Sequence, residues 1–289
     1  MSDVDFYKEI LTRHRGSSIG IDSIQSVSGG CINITNRVVT SKGSFFVKIN
    51  TPEQKDLFKK EVKGLEMLKS KSPVNTPEIV GSGEFSGRTY LILEWINKEP
   101  PGPNFWNDFG QRLALQHKVS HEFFGLDHDN HIGRLSQSNK FYPNWYDLFI
   151  NERILPQLDL GEQNGFIDIR LRKQFDLLFA KLDQLIPTTL PSLLHGDLWS
   201  GNFLCGPETT PYIFDPAIYF GHRETELAFT SLFGGFDQIF YTSYIQEFPP
   251  EPGYDERFDI HNLYPLLVHV NLFGSSYLSG IRTTLKRIL

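Results

Sequence analysis

The chain has no basic block, no apolar run approaching the ~20 residues that span a bilayer, and only two cysteines, Cys31 and Cys205. Each absence excludes something. With no phosphate-neutralising patch and a net charge of −6, nucleic acid is not an expected partner. Without a long apolar run, neither is a membrane. Two cysteines make no disulfide framework. The opening Met1-Ser2-Asp3-Val4-Asp5-Phe6 has neither the basic flank nor the apolar run of a signal peptide, so a cytoplasmic location is expected. Internal repeats and low-complexity tracts are also missing. What is present is a globular balance of 39% hydrophobic and 21% charged residues over 289 positions. That is enough core material for one large domain or two lobes.

The stretch that organises the chain is His195-Gly196-Asp197-Leu198-Trp199-Ser200-Gly201-Asn202. It follows the apolar pair Leu193-Leu194 and precedes two short β-prone runs, Phe203-Leu204-Cys205 and Tyr212-Ile213-Phe214-Asp215, with turn residues between them. This reads as a loop feeding a hairpin, with Asn202 entering and Asp215 leaving. Paired strands lie about 5 Å apart, which sets an amide oxygen and a carboxylate side by side, a ligand pair suited to Mg2+. Asp197 stands five residues before Asn202. Asp-x4-Asn is the spacing of the kinase catalytic loop, in which the Asp accepts the substrate hydroxyl proton. Alone that spacing says little. Joined to His-Gly-Asp after a strand and to Asp-Pro closing a hairpin, it points to phosphotransfer.

The N-terminal part supplies a matching nucleotide site. Residues 3–14 have the pattern of an amphipathic helix. Gly29 and Gly30, before a β-prone run containing Cys31 and Asn33, suit a turn whose backbone can approach a phosphate; taken alone a plain Gly-Gly turn is the better reading, and position must decide. Lys48 sits inside the apolar strand Phe45 to Ile49, where a lysine is costly unless paired; an edge strand facing water is the alternative. Thr51-Pro52-Glu53-Gln54 reads as a helix start with Thr51 as N-cap and Gln54 completing a capping box, and the helix runs to about Lys71. Its apolar arc of Leu57, Phe58, Val62, Leu65 and Leu68 encloses Glu61. A carboxylate there wants a cation, and Lys48 is the candidate. Ile79-Val80 and Thr89 to Trp95 read as strands around a turn from Gly81 to Gly87. Glu94, Trp95 and Ile96 would then be the backbone that meets an adenine ring. Three prolines and a glycine within residues 97–103 mark a linker. The expected organisation is a nucleotide-binding lobe at 1–96, a hinge at 97–103, and a catalytic, substrate-binding lobe at 104–289.

The second lobe reads as mainly helical. Helical faces are set by Phe105, Phe109 and Leu113, by Trp145 to Leu155, and by Phe175 to Leu185. Two more helices are expected in 227–248, and one long helix or two in 263–289. Asp127-His128-Asp129-Asn130-His131 offers metal-ligating side chains without zinc-site spacing, so a polar loop is expected. Glu226 could accept hydrogen bonds from the catalytic-loop backbone or simply favour a helix N-terminus.

These residues together resemble one family. HGDLWSGN at 195–202 and DPAIYFGHRETELAFTSLFGGF at 215–236 are similar to the fructosamine-3-kinases, also called ketosamine or ribulosamine kinases, of the aminoglycoside-phosphotransferase-like branch of the protein-kinase-like fold. The likeness extends to Gly29–Asn33, Lys48, Glu61 and Asn144-Trp145. It implies an α+β, bilobal, protein-kinase-like fold, with a small antiparallel sheet and one key helix in the first lobe and a larger helical second lobe. It implies ATP and Mg2+ as cofactors, and phosphorylation of O3 of a ketosamine (ribulosamine, erythrulosamine or fructosamine) on a glycated amine, free or on a protein; small non-animal members of the family prefer ribulosamines or erythrulosamines, and which one this chain prefers stays open. A phosphate at C3, beside the C2 carbonyl, can be eliminated, and this frees the amine. Within the resemblance Asp197 is the base. Lys48, held by Glu61, grips phosphates, and Asn202 and Asp215 hold Mg2+. Trp199 offers an apolar face to the sugar, with a core-filling role as the alternative, and His195 braces the loop. Cysteine at position 31 goes with redox control in the family, which implies a monomer or a homodimer linked through Cys31. Trp199 separates the pattern from protein kinases, which carry a Lys there. Glu226 departs from the Asp common in related kinases. A kinase of an aminoglycoside or choline-like alcohol is the alternative enzyme, and a nucleotide-holding module without turnover the alternative class.

Overall fold

The computed structural model describes residues 2–16, 18–27 and 33–289. Its elements in chain order are α1 (Asp3–Arg15), β1 (Ile21–Ser26), β2 (Ile34–Thr40), β3 (Gly43–Asn50), α2 (Lys55–Lys71), β4 (Ile79–Phe85), β5 (Arg88–Glu94), α3 (Phe105–His117), β6 (Asn130–Ile132), β7 (Leu135–Gln137) and α4 (Trp145–Leu148). A π-helical stretch, Phe149–Ile154, leads into α5 (Leu155–Gln163), α6 (Ile169–Phe179), α7 (Leu182–Leu185), β8 (Ser192–Leu194), β9 (Phe203–Cys205), β10 (Pro211–Ile213) and β11 (Tyr219–Gly221). The chain continues with α8 (Arg223–Leu232), α9 (Gln238–Glu247), α10 (Tyr254–His261), α11 (Leu263–Phe273) and α12 (Leu278–Ile288). No helix among the described residues is long and apolar enough to cross a membrane.

The chain divides into two compact units. The first takes residues 1–105 and 203–216, the second 106–202 and 217–289. This differs from contiguous lobes at 203–216. The hairpin of β9 and β10 counts with the first unit because its backbone is tied there. Ile213 N donates to Asn75 O at 2.9 Å, and Glu99 N donates to Cys205 O at 2.8 Å.

The first unit is built on an antiparallel sheet of order β1-β2-β3-β5-β4. Side chains alternate across a strand, and here the two parities face two helices. Phe45, Val47 and Ile49 of β3 join Tyr90 and Ile92 of β5 in a core with Phe6, Tyr7, Ile10 and Leu11 of α1. Phe46 of β3 and Leu91 and Leu93 of β5 pack on Leu57, Phe58 and Leu65 of α2. Lys48 has the parity of Phe46 and stands opposite Leu91, so the pleat carries it to the α2 face.

Two local expectations fail in this unit. Thr51 has the extended backbone of an N-cap, but its side chain makes no cap hydrogen bond, and a 3-10 turn at Pro52–Gln54 precedes α2. No capping box therefore forms with Gln54; the Thr51 hydroxyl beside Glu53 holds that carboxyl below its ordinary value. The turn between β4 and β5 is also shorter than Gly81 to Gly87. Ser86 and Gly87, with φ of 49° and 72°, make a two-residue hairpin turn of the kind that matches strand twist. Gly81 lies inside β4, where a Cβ would come within 2.2 Å of the His14 ring.

The second unit is mainly helical, with two-stranded ladders β8–β11 and β6–β7. The helical face from Phe175 to Leu185 is two helices, α6 and α7, interrupted at Ala180-Lys181. The segment from Leu263 to Leu289 is likewise two, α11 and α12, broken after Phe273 by Gly274 at φ 100°. The helical segment opening at Trp145 passes through the π-turn, which places Arg153 at 0% exposure. Arg153 lies 4.1 Å over the Tyr219 ring and donates to Ser138 O and Asn139 Oδ1, each at 2.6 Å.

Candidate active site

In the first unit three charges converge. The Lys48 ammonium, 2% exposed, donates to Glu61 Oε1 at 2.8 Å and to Asp215 Oδ1 at 2.5 Å. Burial alone would lower Lys48, but the charges of Asp215 and Glu61 outweigh it and hold the ammonium above its ordinary value. Burial pushes the Glu61 carboxyl up; Lys48 pulls against that shift and the charge of Asp215 adds to it. Two carboxyl groups share one cation, with Asp215 as the open member, its side chain being 40% exposed. Asp215 also has φ of 57°, a left-handed backbone that a non-glycine residue rarely adopts.

The remaining first-unit candidates lie as follows. Glu94 N donates to Glu78 O at 2.8 Å. Trp95 is half-buried under the Arg37 guanidinium, 4.6 Å from its ring, and donates from Nε1 to Asn97 Oδ1 at 3.1 Å. Ile96 is buried. Asn33 Oδ1 accepts from Asn50 Nδ2 at 2.7 Å. Gly29, Gly30 and Cys31 lie outside the described residues. The other cysteine, Cys205, is buried with its thiol pKa raised by that burial.

In the second unit β8 ends at Leu194 and the chain turns at Gly196, φ 82°, where a Cβ would stand 2.0 Å from Ala217 O. Only glycine fits this bend. The turn aims two consecutive N–H groups at one carboxylate: Gly196 N donates to Glu226 Oε1 at 2.8 Å and His195 N to Glu226 Oε2 at 3.2 Å. His195 is fully buried, receives Asp197 N on Nδ1 at 3.3 Å, and its carbonyl accepts from Ala217 N at 2.9 Å. Asn202 Nδ2 donates to both the backbone oxygen and Oδ2 of Asp197, at 2.8 and 2.9 Å. Two oxygens on one side of the amide define its orientation. Trp199 is half-buried, edge-on to Phe233 at 6.4 Å. A pocket in this unit is lined by Asp197, Leu198, Phe229, Tyr264, Val268 and His269.

The structure thus brings together Lys48, Glu61 and Asp215 in one unit, and His195, Asp197, Asn202 and Glu226 in the other. Asp215 as a partner of Lys48, 167 residues away, has no signal in the local sequence. Neither has His117, which donates from Nε2 to Glu226 Oε2 at 2.9 Å. Asp215 offers a partly exposed carboxylate in the first unit, and in the second the Asn202 amide turns its nitrogen to Asp197; each residue carries a hard oxygen donor of the kind Mg2+ takes, with no thiolate or imidazole among them.

A second metal-type cluster does not fit a metal. His222, Glu224 and His261 are buried together, but His222 Nδ1 accepts the Glu224 backbone N–H at 3.3 Å. Its ring proton therefore sits on Nε2, the nitrogen a metal would need. Glu224 is already bidentate to Arg257 at 2.7 and 2.8 Å. In the segment from Asp127 to His131, Asp129 caps the Asn139 N–H at 2.9 Å and Asn130 opens β6. It is a structural hairpin arm.

Among solved structures, the chain is similar to the fructosamine-3-kinase assigned in Haemophilus somnus 129PT, with TM-score 0.87, 30% identity, and 98% of this chain and 96% of that chain covered. It is also similar in fold to a spectinomycin phosphotransferase solved with ADP, with TM-score 0.61, 14% identity, and 99% and 93% covered. Among curated proteins, it is 37% identical to a probable ketoamine kinase of Synechocystis sp. over 96% of this chain and 94% of that one. It is 35% identical to the chloroplastic protein-ribulosamine 3-kinase of Arabidopsis thaliana over 97% and 86%. The fold is therefore protein-kinase-like, and the enzyme is a phosphotransferase acting on a hydroxyl group. The family model for fructosamine kinase matches residues 4–289, and the chain belongs to that family.

Proposed function

We propose that this enzyme transfers the γ-phosphoryl group of ATP to O3 of a ketosamine (ribulosamine, erythrulosamine or fructosamine) and so initiates removal of the sugar from a glycated amine. The observation that carries the reading is the Lys48 ammonium, buried between Glu61 and Asp215 in a chain whose relatives include a protein-ribulosamine 3-kinase. Lys48, oriented by Glu61, grips the nonreacting phosphates; a buried lysine held by two acids is preorganised for an anion. Asn202 and Asp215 would hold Mg2+, which when bound neutralises phosphate charge. Asp197 takes the proton of the sugar hydroxyl. Its carboxylate is held on one oxygen by Asn202 and its loop by Glu226, so the base is positioned before substrate arrives. Trp199 lends an apolar face to the sugar. The ester formed at C3 lies beside the C2 carbonyl: enolisation toward C1 gives an enaminol that expels phosphate from C3, and water then hydrolyses the resulting C1 imine, releasing the free amine and a 3-deoxy dicarbonyl sugar.

The test is phosphate transfer from labelled ATP to ribuloselysine, erythruloselysine, fructoselysine and an aminoglycoside side by side, with the product position read by NMR. Transfer to O3 of a ketosamine is expected. Transfer to the aminoglycoside alone, or to another hydroxyl, overturns the reading.

A further inference from the structure

We infer that His117 and Tyr244 are positioning residues for the phosphotransfer loop, acting on it through Glu226. The three side chains form one buried chain. Tyr244, on α9 and 0% exposed, meets His117 Nδ1 through its hydroxyl at 2.8 Å. His117, the last residue of α3 and 1% exposed, donates from Nε2 to Glu226 Oε2 at 2.9 Å. Glu226, in the first turn of α8, takes the two backbone N–H groups of His195 and Gly196.

The chemistry of each group orders this chain. An ionised carboxylate only accepts, so His117 carries its proton on Nε2. In the tautomer with its proton on Nε2, the ring accepts at Nδ1, and the Tyr244 hydroxyl is placed to donate to it. The helix ends agree: the N-terminal turn of α8 favours the negative charge of Glu226, and the C-terminal turn of α3 favours a donor imidazole. Glutamate has a long, rotatable side chain, and two backbone N–H groups do not by themselves hold one of its rotamers. His117 supplies the third contact and Tyr244 locks the ring of His117, against which it also packs edge-on at 5.5 Å. What is held in this way is the Gly196 bend, whose position decides where Asp197 points. Freed from Glu226, the bend would leave two buried N–H groups unpaired and would relax.

The inference rests on Asp197 being the base, so its test includes a readout that needs no substrate. The full-length chain is prepared as parent, His117→Leu, His117→Gln and Tyr244→Phe. Steady-state kinetics are measured alongside hydrogen exchange of the peptide covering residues 193–198. His117→Leu is expected to lower kcat by about 100-fold, the scale of a 1 Å misplacement. KM for ATP should hold within about threefold, because Lys48 and its partners belong to the other unit. Exchange at residues 195 and 196 should speed up. Gln places an N–H where Nε2–H stood, so His117→Gln should recover both kcat and slow exchange. Tyr244→Phe keeps the ring and loses one hydrogen bond, for about a threefold to tenfold fall in kcat. The inference is overturned if His117→Leu merely lowers Tm while kcat and exchange stay parental, or if His117→Gln is as impaired as His117→Leu. Failure of the parent to phosphorylate any ketosamine would sink the substrate reading alone; the exchange data would still decide the positioning.

Discussion

Glu61 in the first unit and Glu226 in the second are both buried carboxylates next to the residues proposed for chemistry, and they are held on opposite terms. Glu61 faces a cation that it shares with Asp215. Glu226 faces three N–H donors and, among the described residues, forms no ion pair with a Lys or Arg. The difference follows from what each must hold. A lysine destined for phosphate needs partners that charge can redistribute among, and a shared ion pair allows this. A loop carrying a base needs fixed geometry, and directional bonds to backbone N–H groups supply it. On the proposed roles, the first arrangement would act on nucleotide affinity and the second on turnover.

The largest expected effect removes the base that the second arrangement serves. Asp197→Asn keeps shape and loses proton acceptance, so turnover should fall by about 10²–10⁴-fold while ATP binding by calorimetry persists. Turnover within a few-fold of the parent would show that Asp197 is not the base. Next, Glu226→Gln replaces one accepting oxygen with a donor that opposes the loop N–H groups. Charged hydrogen bonds carry about 1.5–3 kcal/mol, so kcat should fall by roughly 10–100-fold with ATP affinity retained. Equal losses in both would erase the contrast drawn above.

Glu61→Ala is the counterpart, and a smaller one. Lys48 keeps Asp215, so ATP affinity should weaken by roughly tenfold, the scale of one charged hydrogen bond. Adding Lys48→Ala should then cost less than it does in the parent, because the pair acts as a unit. Additive losses in the double-mutant cycle would mean that Glu61 does not act through Lys48.

The smallest effect is one of stability, from a third buried carboxylate. Burial raises Glu224, but hydrogen bonds from Arg257 and His261 outweigh it and hold the carboxyl down to about 2. His222 is pushed down to about 3 by burial first and by the charge of His261 second. For both groups the unfolded chain binds protons at a higher pH than the folded one. Their contribution is therefore complete at neutral pH and is lost on acidification, from about 6.5 toward 3 for His222 and from about 4.5 toward 2 for Glu224. Urea midpoints measured from pH 7 to pH 4 should fall, and Glu224→Gln should flatten the lower part of that fall. An unchanged slope in the variant would assign the acid sensitivity elsewhere.

Much of this was readable because it is local or periodic. Lys48 and Glu61 could be paired on paper because a strand has period two and a helix 3.6. Each charge fell on an apolar face of neighbouring elements, and a buried charge needs an opposite one. The hairpin after Asn202 follows from turn residues between β-prone runs. Local signals failed where two local solutions compete. Thr51 opens a 3-10 turn at Pro52–Gln54 instead of capping α2. Gly81-Ser82-Gly83 has the composition of a turn but continues β4, because β5 pairs with it across the sheet.

The sequence by itself determined the α+β class, the charged residue on each amphipathic face and the residues of the phosphotransfer loop, since all of these depend on spacings of a few residues. Tertiary structure alone decided which distant groups satisfy one another: Asp215 on Lys48, and Tyr244 on His117, 127 residues apart. No short-range pattern encodes such pairs. They form because a buried polar group must find its partner among whatever the folded chain brings within hydrogen-bond distance.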